Sequence, residues 1–506
     1  MKIQFLLKNT GMFERLGIMT LSSILKQHGH TVTLLLTGDL TEEECVAQVK
    51  DFEPHILAYS IMTGEHNYHI DLNQMIRSHY NCFSVFGGPH PTFQPDMIEK
   101  PNVDAICRGE GDIYFLQLVN RMEQGKDFYD SPNFWFKTPN VGIIKNKIGL
   151  LLENLDELPF PDRELIYNAD PALRARGSKL FMAMRGCPYK CTYCFNLAYN
   201  ELTKDKGKML RYRSVDSLIS EIKAVKEHYF LDRVFIDDDT FLLKPKGWLE
   251  EFAEKYPKEI GIPFTCNVRA NLVDEMRGKL LQKANCKHIN MGLECGNNEI
   301  ATQVLGRNIS NDQIAKACSI FHTNKIKIMT QNLNGLPVDN PLEVDLETLD
   351  FNITLKPDFA WSSLLYPYPG TEIGHIATQK GLFNSDFEKV CVSNKTDSLL
   401  NFEDEKMKRK IVNLHKLFGV IVQFPFLLRP LTSFLISLPL TRFYTWVFFA
   451  FYGYKTLRQS SIIGIFKTLR HYMVFYFRYV TQLEKRVEFS SISQKQSYPM
   501  SSQQTE

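Results

Sequence analysis

Three cysteines in the stretch GCPYKCTYCFN, residues 186–196, have a spacing that could bind a metal centre. Cys187, Cys191 and Cys194 follow the pattern C-x3-C-x2-C. Three thiolates on a tight loop can face one centre, and three rather than four leave one iron of a 4Fe–4S cube open to a substrate or cofactor. Structural zinc normally needs a further Cys or His pair at short spacing, and no such pair follows within the next fifty residues. The sequence therefore favours an iron–sulfur cluster, with a zinc loop or three incidental thiols as the alternative.

Six apolar segments predict the scaffold that positions this loop. Residues 181–184 directly precede the cysteines and have the pattern of a buried strand. Five more apolar segments follow at 233–236, 264–268, 288–293, 327–333 and 359–365, with amphipathic helical stretches between them. Six strands of this kind predict a partial (β/α)6 barrel of the TIM type, in which chemistry takes place at the carboxyl ends of the strands.

Polar residues follow several of these predicted strands. Taken alone, an acid at such a position could equally be a helix N-cap, so the set carries more weight than any member. The candidates are Asp238 and Asp239 in DDDTF, Arg269 in NVRAN, Gly292 and Glu294 in GLECG, and Pro367 in PYPGT.

The first 130 residues predict a doubly wound, Rossmann-like parallel sheet. Such sheets bind ligands beyond the carboxyl ends of their strands, which here read SIMTG, GGPHPT and RGEGD. Glycines let the backbone approach a large planar ligand closely, and the absence of G-x-G-x-x-G disfavours a dinucleotide. The candidate contacts are Ser60, Thr63, Gly64, Gly87, Gly88, His90, Gly109 and Gly111.

The cysteine pattern, followed by the aromatic residue Phe195, resembles the cluster loop of the radical S-adenosylmethionine enzymes. The resemblance implies that the three cysteines hold a 4Fe–4S cluster and that S-adenosylmethionine chelates its fourth iron. One-electron reduction by a flavodoxin- or ferredoxin-type protein then cleaves the cofactor to a 5′-deoxyadenosyl radical. It also implies that Asp238 and Asp239 lie near the amino group of the cofactor. Arg269 and Glu294 would be catalytic, Glu294 and Gly292 would line the ribose or methionine part, and Pro367 would also contact the cofactor.

Over roughly residues 1–375 the chain resembles the branch of this family that carries a cobalamin-binding domain, which includes class B methyltransferases and anaerobic magnesium-protoporphyrin cyclases. One departure is the missing D-x-H-x-x-G after the first strand, where the chain reads KNTGMFERLG. We therefore expect cobalamin to bind without a protein imidazole on cobalt. His90 is an alternative contact, although a loop histidine is more often a hydrogen-bonding residue, and His66 and His69 are interpreted as helix surface.

Composition fits an intracellular enzyme with several domains. Of the 11 cysteines, the eight outside the loop are scattered without a disulfide framework, which favours a reducing compartment. Cys295 could be a redox thiol, but a passive buried cysteine is the expected interpretation. The apolar run after Lys2 stops at Lys8, so no signal peptide is predicted.

Residues 411–480 combine eight Lys or Arg with no Asp or Glu among many aromatic and aliphatic residues. This pattern favours helices that lie on an anionic membrane surface. A buried helical cap over the barrel and a single membrane span are the alternatives.

The predicted organisation is a cobalamin-binding domain over 1–135, a linker with a hairpin over 136–174, a radical barrel over 175–390, a basic and aromatic helical region over 391–486 and a disordered tail over 487–506. The expected function is methylation of an unactivated carbon by means of the deoxyadenosyl radical and methylcobalamin. The alternatives are a cyclase or oxidase acting on a tetrapyrrole-like or lipid substrate, and a non-catalytic electron-transfer or regulatory protein. We expect a small-molecule substrate, which could be lipid-soluble, no nucleic acid, and a cytoplasmic location that could be peripheral on the inner membrane face.

Overall fold

The computed structural model describes residues 1–11, 13–387, 397–402 and 404–457. These residues form two compact units. The first contains Met1–Gly11 and Leu25–Lys147, and the second contains residues 13–24 and the described residues from Ile148 onward.

The first unit is built on a sheet whose strands alternate with helices. Its elements are β1 (Lys2–Leu7), α1 (Leu16–Gln27, shared with the second unit), β2 (Thr31–Leu36), α2 (Glu42–Phe52), β3 (Ile56–Ser60), α3 (His66–Arg77), β4 (Phe83–Gly87), α4 (Pro89–Phe93), β5 (Ala105–Cys107), α5 (Asp112–Glu123), β6 (Phe134–Thr138) and β7 (Gly142–Lys145). The strand order is β2-β1-β3-β4-β5-β6-β7, and β1 to β5 are parallel. Strands β1 and β3 are nearly continuous runs of buried apolar residues, as expected for a parallel sheet covered on both faces. The predicted doubly wound sheet is confirmed.

The hairpin of β6 and β7 is part of this sheet. Strand β6 pairs antiparallel with β5, in a register that places Phe136 beside Ala105, and β7 pairs with β6. The sequence assigned a hairpin to a linker that began at residue 136. That assignment is corrected, because Phe134 and Phe136 are fully buried and the hairpin extends the first sheet.

The second unit contains the predicted six-stranded parallel sheet. Its elements are α6 (Arg163–Ala169), α7 (Pro171–Ala175), β8 (Ser178–Phe181), β9 (Met184–Arg185), α8 (Phe195–Leu202), β10 (Arg211–Tyr212), α9 (Val215–His228), β11 (Arg233–Ile236), α10 (Trp248–Glu259), β12 (Phe264–Val268), α11 (Glu275–Lys283), β13 (Cys286–Glu294), α12 (Asn298–Gln303), α13 (Asn311–Thr323), β14 (Lys327–Asn334), α14 (Pro341–Leu355), β15 (Phe359–Leu364), α15 (Glu372–Gln379), α16 (Glu405–Gln423), α17 (Pro425–Leu428), α18 (Thr432–Ser437) and α19 (Thr441–Leu457). The order β15-β14-β13-β12-β11-β8 follows the chain, as in a partial barrel.

Alternation along these strands separates the core from the barrel interior. Val234, Cys266 and Ile289 on three neighbouring strands belong to one buried cluster that includes residues of α9, α10, α11 and α13. Because parallel neighbours in register share a face, Asn267 and Asn290 point to the opposite side, where the Asn290 amide donates to Asn267 Oδ1 at 3.0 Å. The polar faces of the strands thus line the interior and lead to the strand tips.

The strand before the cysteine loop lies earlier in the chain than the predicted 181–184. Strand β8 ends at Phe181, and the backbone N–H groups of Ala183 and Met184 donate to Asp238 Oδ1 at 2.7 and 2.9 Å instead of continuing the sheet. The short β9 then pairs with β10. The chain therefore breaks from the sheet after Phe181, and the Asp238 side chain supports this break just before the cysteine loop.

The C-terminal helices differ in burial. Helix α16 buries ten residues between Ile411 and Val422 and packs against β15 and α14, which is the arrangement expected of a buried helix on the barrel. Helices α17, α18 and α19 expose many apolar side chains. Among the described residues, no helix is both long and apolar enough to cross a membrane. Residues 458–480 of the predicted basic segment, and the predicted disordered tail, lie outside the described residues.

Candidate active site

The cysteine loop begins with a tight turn at Gly186. This residue has φ +95°, and a side chain there would overlap the carbonyl of Met209. The Cys187 and Cys194 sulfurs accept hydrogen bonds from backbone N–H groups of Tyr189 and Asn196. The loop is thus folded so that its backbone donors point at the sulfurs.

The end of α12 and the start of α15 hold the cysteine loop in place. The Thr192 hydroxyl donates to the carbonyl of Val304 at 2.7 Å, and its N–H donates to the carbonyl of Leu305 at 3.1 Å. The N–H of Ile373, which follows β15, donates to the Thr192 carbonyl at 3.0 Å. The loop is therefore fixed to the segments that follow β13 and β15.

The donor set fits a cluster with three thiolate ligands. Cys187 and Cys191 are buried and Cys194 is half-buried. Burial raises the pKa of Cys187, and it raises the pKa of Cys194 to about 11. N–H donors to sulfur and a neighbouring guanidinium are features that support bound thiolates. Among the described residues, no three His, Cys, Asp or Glu side chains lie close enough together to bind one metal ion.

Arg269 supplies that guanidinium. Its Nη1 lies 3.4 Å from Cys191 Sγ, and the guanidinium stacks over the Tyr189 ring at 3.8 Å. Its Nε donates to Asn271 Oδ1 at 3.0 Å, and the residue is 7% exposed. The structure thus places Arg269 against the cysteine loop, at the tip of β12.

The two aspartates predicted beside the cofactor have different environments. Asp238 is 1% exposed and, besides the two N–H groups, accepts from Lys244 Nζ at 2.5 Å. The side chain of Asp239 reaches solvent and forms a hydrogen bond with Asn196 of the cysteine loop. The surrounding protein still removes part of the water around its carboxylate, which raises the pKa of Asp239. Asp238 therefore supports the loop from behind, and Asp239 is the carboxylate that a cofactor could reach.

Glu294 forms a buried cluster with two residues that the sequence did not suggest. Arg307 Nη1 lies 3.5 Å from Glu294 Oε1 and donates to the Tyr193 hydroxyl at 2.8 Å, while Nη2 donates to the Gly292 carbonyl at 2.5 Å. Tyr193 also forms a hydrogen bond with Glu294. Burial raises the pKa of Glu294, and Arg307 opposes that shift. The cluster links the cysteine loop to the tip of β13.

The backbone at this tip is unusual. Glu294 has φ +67°, and the register between β13 and β14 shifts between Gly292 and Glu294. A side chain at Gly292 would lie 2.5 Å from Glu294 Oε1, so only glycine leaves room for that carboxylate. A non-glycine residue held in this conformation costs about 1 kcal/mol or more, which is typical of functional sites.

Pro367 and Cys295 lie beside this region. Pro367 is buried in the turn after β15, where the next residue, Tyr368, contacts the Phe195 ring at 5.5 Å. Cys295 is 1% exposed within an apolar cluster, and its predicted burial is confirmed.

The predicted loops of the first unit contribute backbone and buried imidazoles. Gly88 has φ +96°, and a side chain there would lie 2.8 Å from the Ile61 carbonyl oxygen, so it lets the loops after β3 and β4 pack together. The N–H of Gly109 donates to Thr92 Oγ1 at 3.0 Å. The other candidates line the same carboxyl edge of the sheet: Ser60 and Gly87 end β3 and β4, Thr63 and Gly64 follow β3, and Gly111 precedes α5.

The three histidines near this edge are buried. His66 and His69 are each 1% exposed, so their assignment to the helix surface is wrong. His69 Nδ1 lies 2.8 Å from the Glu65 carbonyl oxygen, and the N–H of Gly64 donates to His66 Nδ1 at 3.1 Å, which turns both rings inward. The His66 ring stacks on His90 at 4.1 Å.

His90 is 2% exposed, and its Nδ1 lies 3.1 Å from Thr63 Oγ1. Burial and the neighbouring His66 lower the pKa of His90 to about 3. His90 lies in the short helix α4, and its environment is that of a buried hydrogen-bonding residue. A large planar ligand at this edge would therefore meet mainly backbone, which fits a corrinoid held without a protein imidazole.

Each of the two units contains a match to a known protein family. The radical SAM superfamily matches residues 182–349, and the B12 binding domain matches residues 6–119. An uncharacterized methyltransferase of Pyrococcus horikoshii is 26% identical over 405 residues, covering 78% of this chain and 85% of the relative. The anaerobic magnesium-protoporphyrin IX monomethyl ester cyclase of Rubrivivax gelatinosus is 24% identical over 428 residues, covering 80% and 74%.

Two solved structures share the fold. The cobalamin-dependent S-adenosylmethionine radical enzyme OxsB, with aqua-cobalamin and S-adenosylmethionine bound, has a TM-score of 0.65 at 16% identity and covers 95% of this chain and 75% of its own. The radical S-adenosylmethionine methyltransferase TsrM of Kitasatospora setae has a TM-score of 0.62 at 18% identity and covers 75% and 76%.

The cysteine loop on a partial barrel defines a radical S-adenosylmethionine enzyme. With both family models matched in this order, the chain combines an N-terminal B12 binding domain with a radical SAM domain. The cofactors that these two domains imply, a 4Fe–4S cluster, S-adenosylmethionine and cobalamin, are those expected from the sequence.

Proposed function

We propose that this enzyme methylates an unactivated carbon of a small molecule. The observation that carries the proposal is the presence, in one chain, of a B12 binding domain and a radical barrel with a three-cysteine loop. When bound, the cluster and S-adenosylmethionine supply a radical that removes hydrogen from the substrate, and cobalamin supplies the methyl group. The methyltransferase relatives support this choice of reaction.

Different residues of the second unit would bind the cluster and the charged groups of S-adenosylmethionine. Cys187, Cys191 and Cys194 would hold the cluster. Asp239 is exposed beside the loop and would attract the cationic amino and sulfonium groups, because an ionised carboxylate forms strong hydrogen bonds with cations. Arg269 is directed at the loop and would position an anionic group near Cys191.

The Glu294 cluster would hold the uncharged part of S-adenosylmethionine. Arg307 and Tyr193 both bind the Glu294 carboxylate, so its position is fixed before a ligand arrives. Gly292 keeps that position open, because any side chain there would displace the carboxylate.

The decisive test is an anaerobic assay with S-adenosylmethionine that carries a deuterated methyl group. We expect 5′-deoxyadenosine, S-adenosylhomocysteine and a product that contains the deuterated methyl group. The Cys191→Ala variant should form no 5′-deoxyadenosine, while Cys82→Ala, which removes a thiol outside the loop, should remain active. Absence of 5′-deoxyadenosine from protein that contains the cluster would contradict the proposal and favour the non-catalytic alternative.

A cyclase or oxidase that acts on a tetrapyrrole-like or lipid substrate is the second candidate. The similarity to the magnesium-protoporphyrin cyclase over 80% of this chain favours it. The same assay separates the two reactions, because a cyclase would form 5′-deoxyadenosine without transferring the deuterated methyl group to a product.

The proposal includes partners. A flavodoxin- or ferredoxin-type protein would supply the electron that the cluster needs. The absence of Asp and Glu from residues 411–480 supports a peripheral location on the inner face of the membrane, where a lipid-soluble substrate would be available.

A further inference from the structure

The exposed apolar side chains of the described residues are concentrated in one short region. Nine of the seventeen large hydrophobic residues that are exposed lie between residues 424 and 454, with exposed fractions from 44% to 99%. We call these nine residues the apolar face. They are Phe424, Phe426, Leu427, Leu431, Phe434, Leu440, Phe443, Trp446 and Tyr454.

The apolar face is distinct from the side of these helices that packs on the protein. Ile436, Tyr444 and Phe448 are 2%, 4% and 8% exposed, and Ile436 and Tyr444 belong to a buried cluster with Leu414 and Phe418 of α16. The helices therefore already have a core side. A second apolar side of this size is uncommon on a protein that meets only water, and it usually marks an interaction surface.

The chain segment that carries the apolar face has basic residues but no acidic ones. Between residues 424 and 457 the chain has Arg429, Arg442 and Lys455 and no Asp or Glu. Arg429 pairs with Asp350 at 2.5 and 2.7 Å, whereas Arg442 is exposed. Aromatic and aliphatic residues beside basic ones suit the interface of an anionic bilayer.

The lengths of these helices indicate how the apolar face would be oriented on a bilayer. Helices α17, α18 and α19 contain 4, 6 and 17 residues. Short helices with one apolar side lie in the plane of the interface and insert that side about 5–10 Å deep. Trp446 and Tyr454 have amphipathic rings that favour the level of the lipid headgroups.

We propose that the apolar face is a monotopic docking site for an anionic lipid bilayer. The proposal deepens the peripheral location suggested above and is independent of the reaction that the barrel catalyses. It assigns the lipid contact to residues 424–454 and assigns α16 to the protein core.

The test is co-sedimentation of the full-length protein with vesicles of phosphatidylcholine, with and without phosphatidylglycerol. We expect partition onto the acidic vesicles that weakens as sodium chloride rises. The variant Phe426→Ser/Phe434→Ser/Phe443→Ser should lower this partition by about tenfold or more, because three large apolar side chains no longer insert. Arg442→Glu should weaken binding to the acidic vesicles alone.

The matched control is Met276→Ser, which removes a side chain of similar exposure, 55%, on α11. It should bind lipid like the unchanged protein. Because residues 458–506 are identical in every variant, their own affinity for lipid cancels in the comparison. Unfolding temperatures should match for all variants, since every changed side chain is exposed.

Equal partition of the triple variant and the unchanged protein would overturn the proposal, as would failure of the unchanged protein to bind acidic vesicles. A concentration-dependent dimer that forms without lipid and is lost in the triple variant would assign the face to a second copy instead. Formation of 5′-deoxyadenosine, measured in the same samples, reports separately on the proposed reaction.

Discussion

The carboxyl edges of the two sheets present different chemical groups. In the first unit the edge consists of glycine backbone and of imidazoles that face inward, such as the stacked His66 and His90. In the second unit the corresponding edge presents thiols, the accessible Asp239 and the Glu294 cluster. The difference is the one expected for the two ligands, because a large planar corrinoid would lie against backbone, whereas the charged groups of S-adenosylmethionine would need side-chain partners. Substitutions should therefore act through side-chain chemistry in the second unit and through backbone fit in the first.

Removing a thiol from the second unit should have the largest effect. Cys187→Ala, Cys191→Ala or Cys194→Ala should each abolish the cluster, because two thiolates cannot hold the cube in place. Iron and sulfide content with the visible absorption spectrum of anaerobically reconstituted protein provide the measurement, and Cys82→Ala is the control. Stoichiometric zinc without iron in protein made under iron-replete, anaerobic conditions would refute the radical assignment.

Breaking the Glu294 cluster should have the next largest effect. Arg307→Met leaves a buried carboxylate without its cation, so we expect binding of S-adenosylmethionine to weaken on the order of 100-fold. Arg307→Lys should restore part of the loss, since a charge returns without the paired donors. Equilibrium dialysis measures binding, and Arg277→Met removes a half-exposed arginine on α11 as the control. Unchanged cofactor affinity in Arg307→Met would limit Arg307 to a structural role.

A glycine substitution tests the backbone side of the comparison. Gly88→Ala should destabilise the first unit by about 1–3 kcal/mol and weaken binding of hydroxocobalamin, because the new methyl group presses on the Ile61 backbone. Gly125→Ala is the matched control: it also has positive φ, +63°, but nothing lies within 4 Å of the added atom. Denaturant unfolding and cobalamin titration give both quantities. Equal losses in the two variants would mean that only backbone conformation matters at Gly88.

Removing the His90 imidazole should have the smallest effect. His90→Ala should still bind cobalamin, and the Co(II) paramagnetic resonance spectrum should lack protein nitrogen splitting both before and after the change. Because the pKa of His90 is lowered to about 3, its ring is neutral from about pH 5 to 8, and the spectrum should not vary over this range. Nitrogen splitting that disappears in His90→Ala would show that this imidazole binds cobalt.

The sequence was most informative where function depends on residues close together in the chain. The spacing of Cys187, Cys191 and Cys194 and the six apolar segments predicted the loop and its sheet, because both are local patterns. Arg307 was missed, since it follows Glu294 by thirteen residues in a loop without a motif and only the fold brings them together. Asp238 and Asp239 could not be told apart, because Lys244 and the strand break select one of them as internal.

The C-terminal region shows a different limit. Helices α16 and α19 come from one basic, aromatic and aliphatic stretch, so composition alone suggested a common role for both. Helix α16 lies beside β15 and α14 and buries His415 and Lys416 together with its apolar residues. Helix α19, by contrast, leaves Phe443 and Trp446 more than half exposed. Which apolar side of a helix becomes core depends on neighbours that the pattern does not reveal.

The position of α16 also matters during synthesis on the ribosome. Strand β15 is the last strand of the barrel sheet, and α16, which covers it, begins only at Glu405. A nascent chain that has completed β15 must therefore wait about forty more residues, a few seconds of translation, before its final strand is protected. Uncovered strands at a sheet edge pair readily with other chains. Products that end between Pro367 and α16 would for this reason aggregate or recruit chaperones, even though every candidate residue of the cofactor site has already been made.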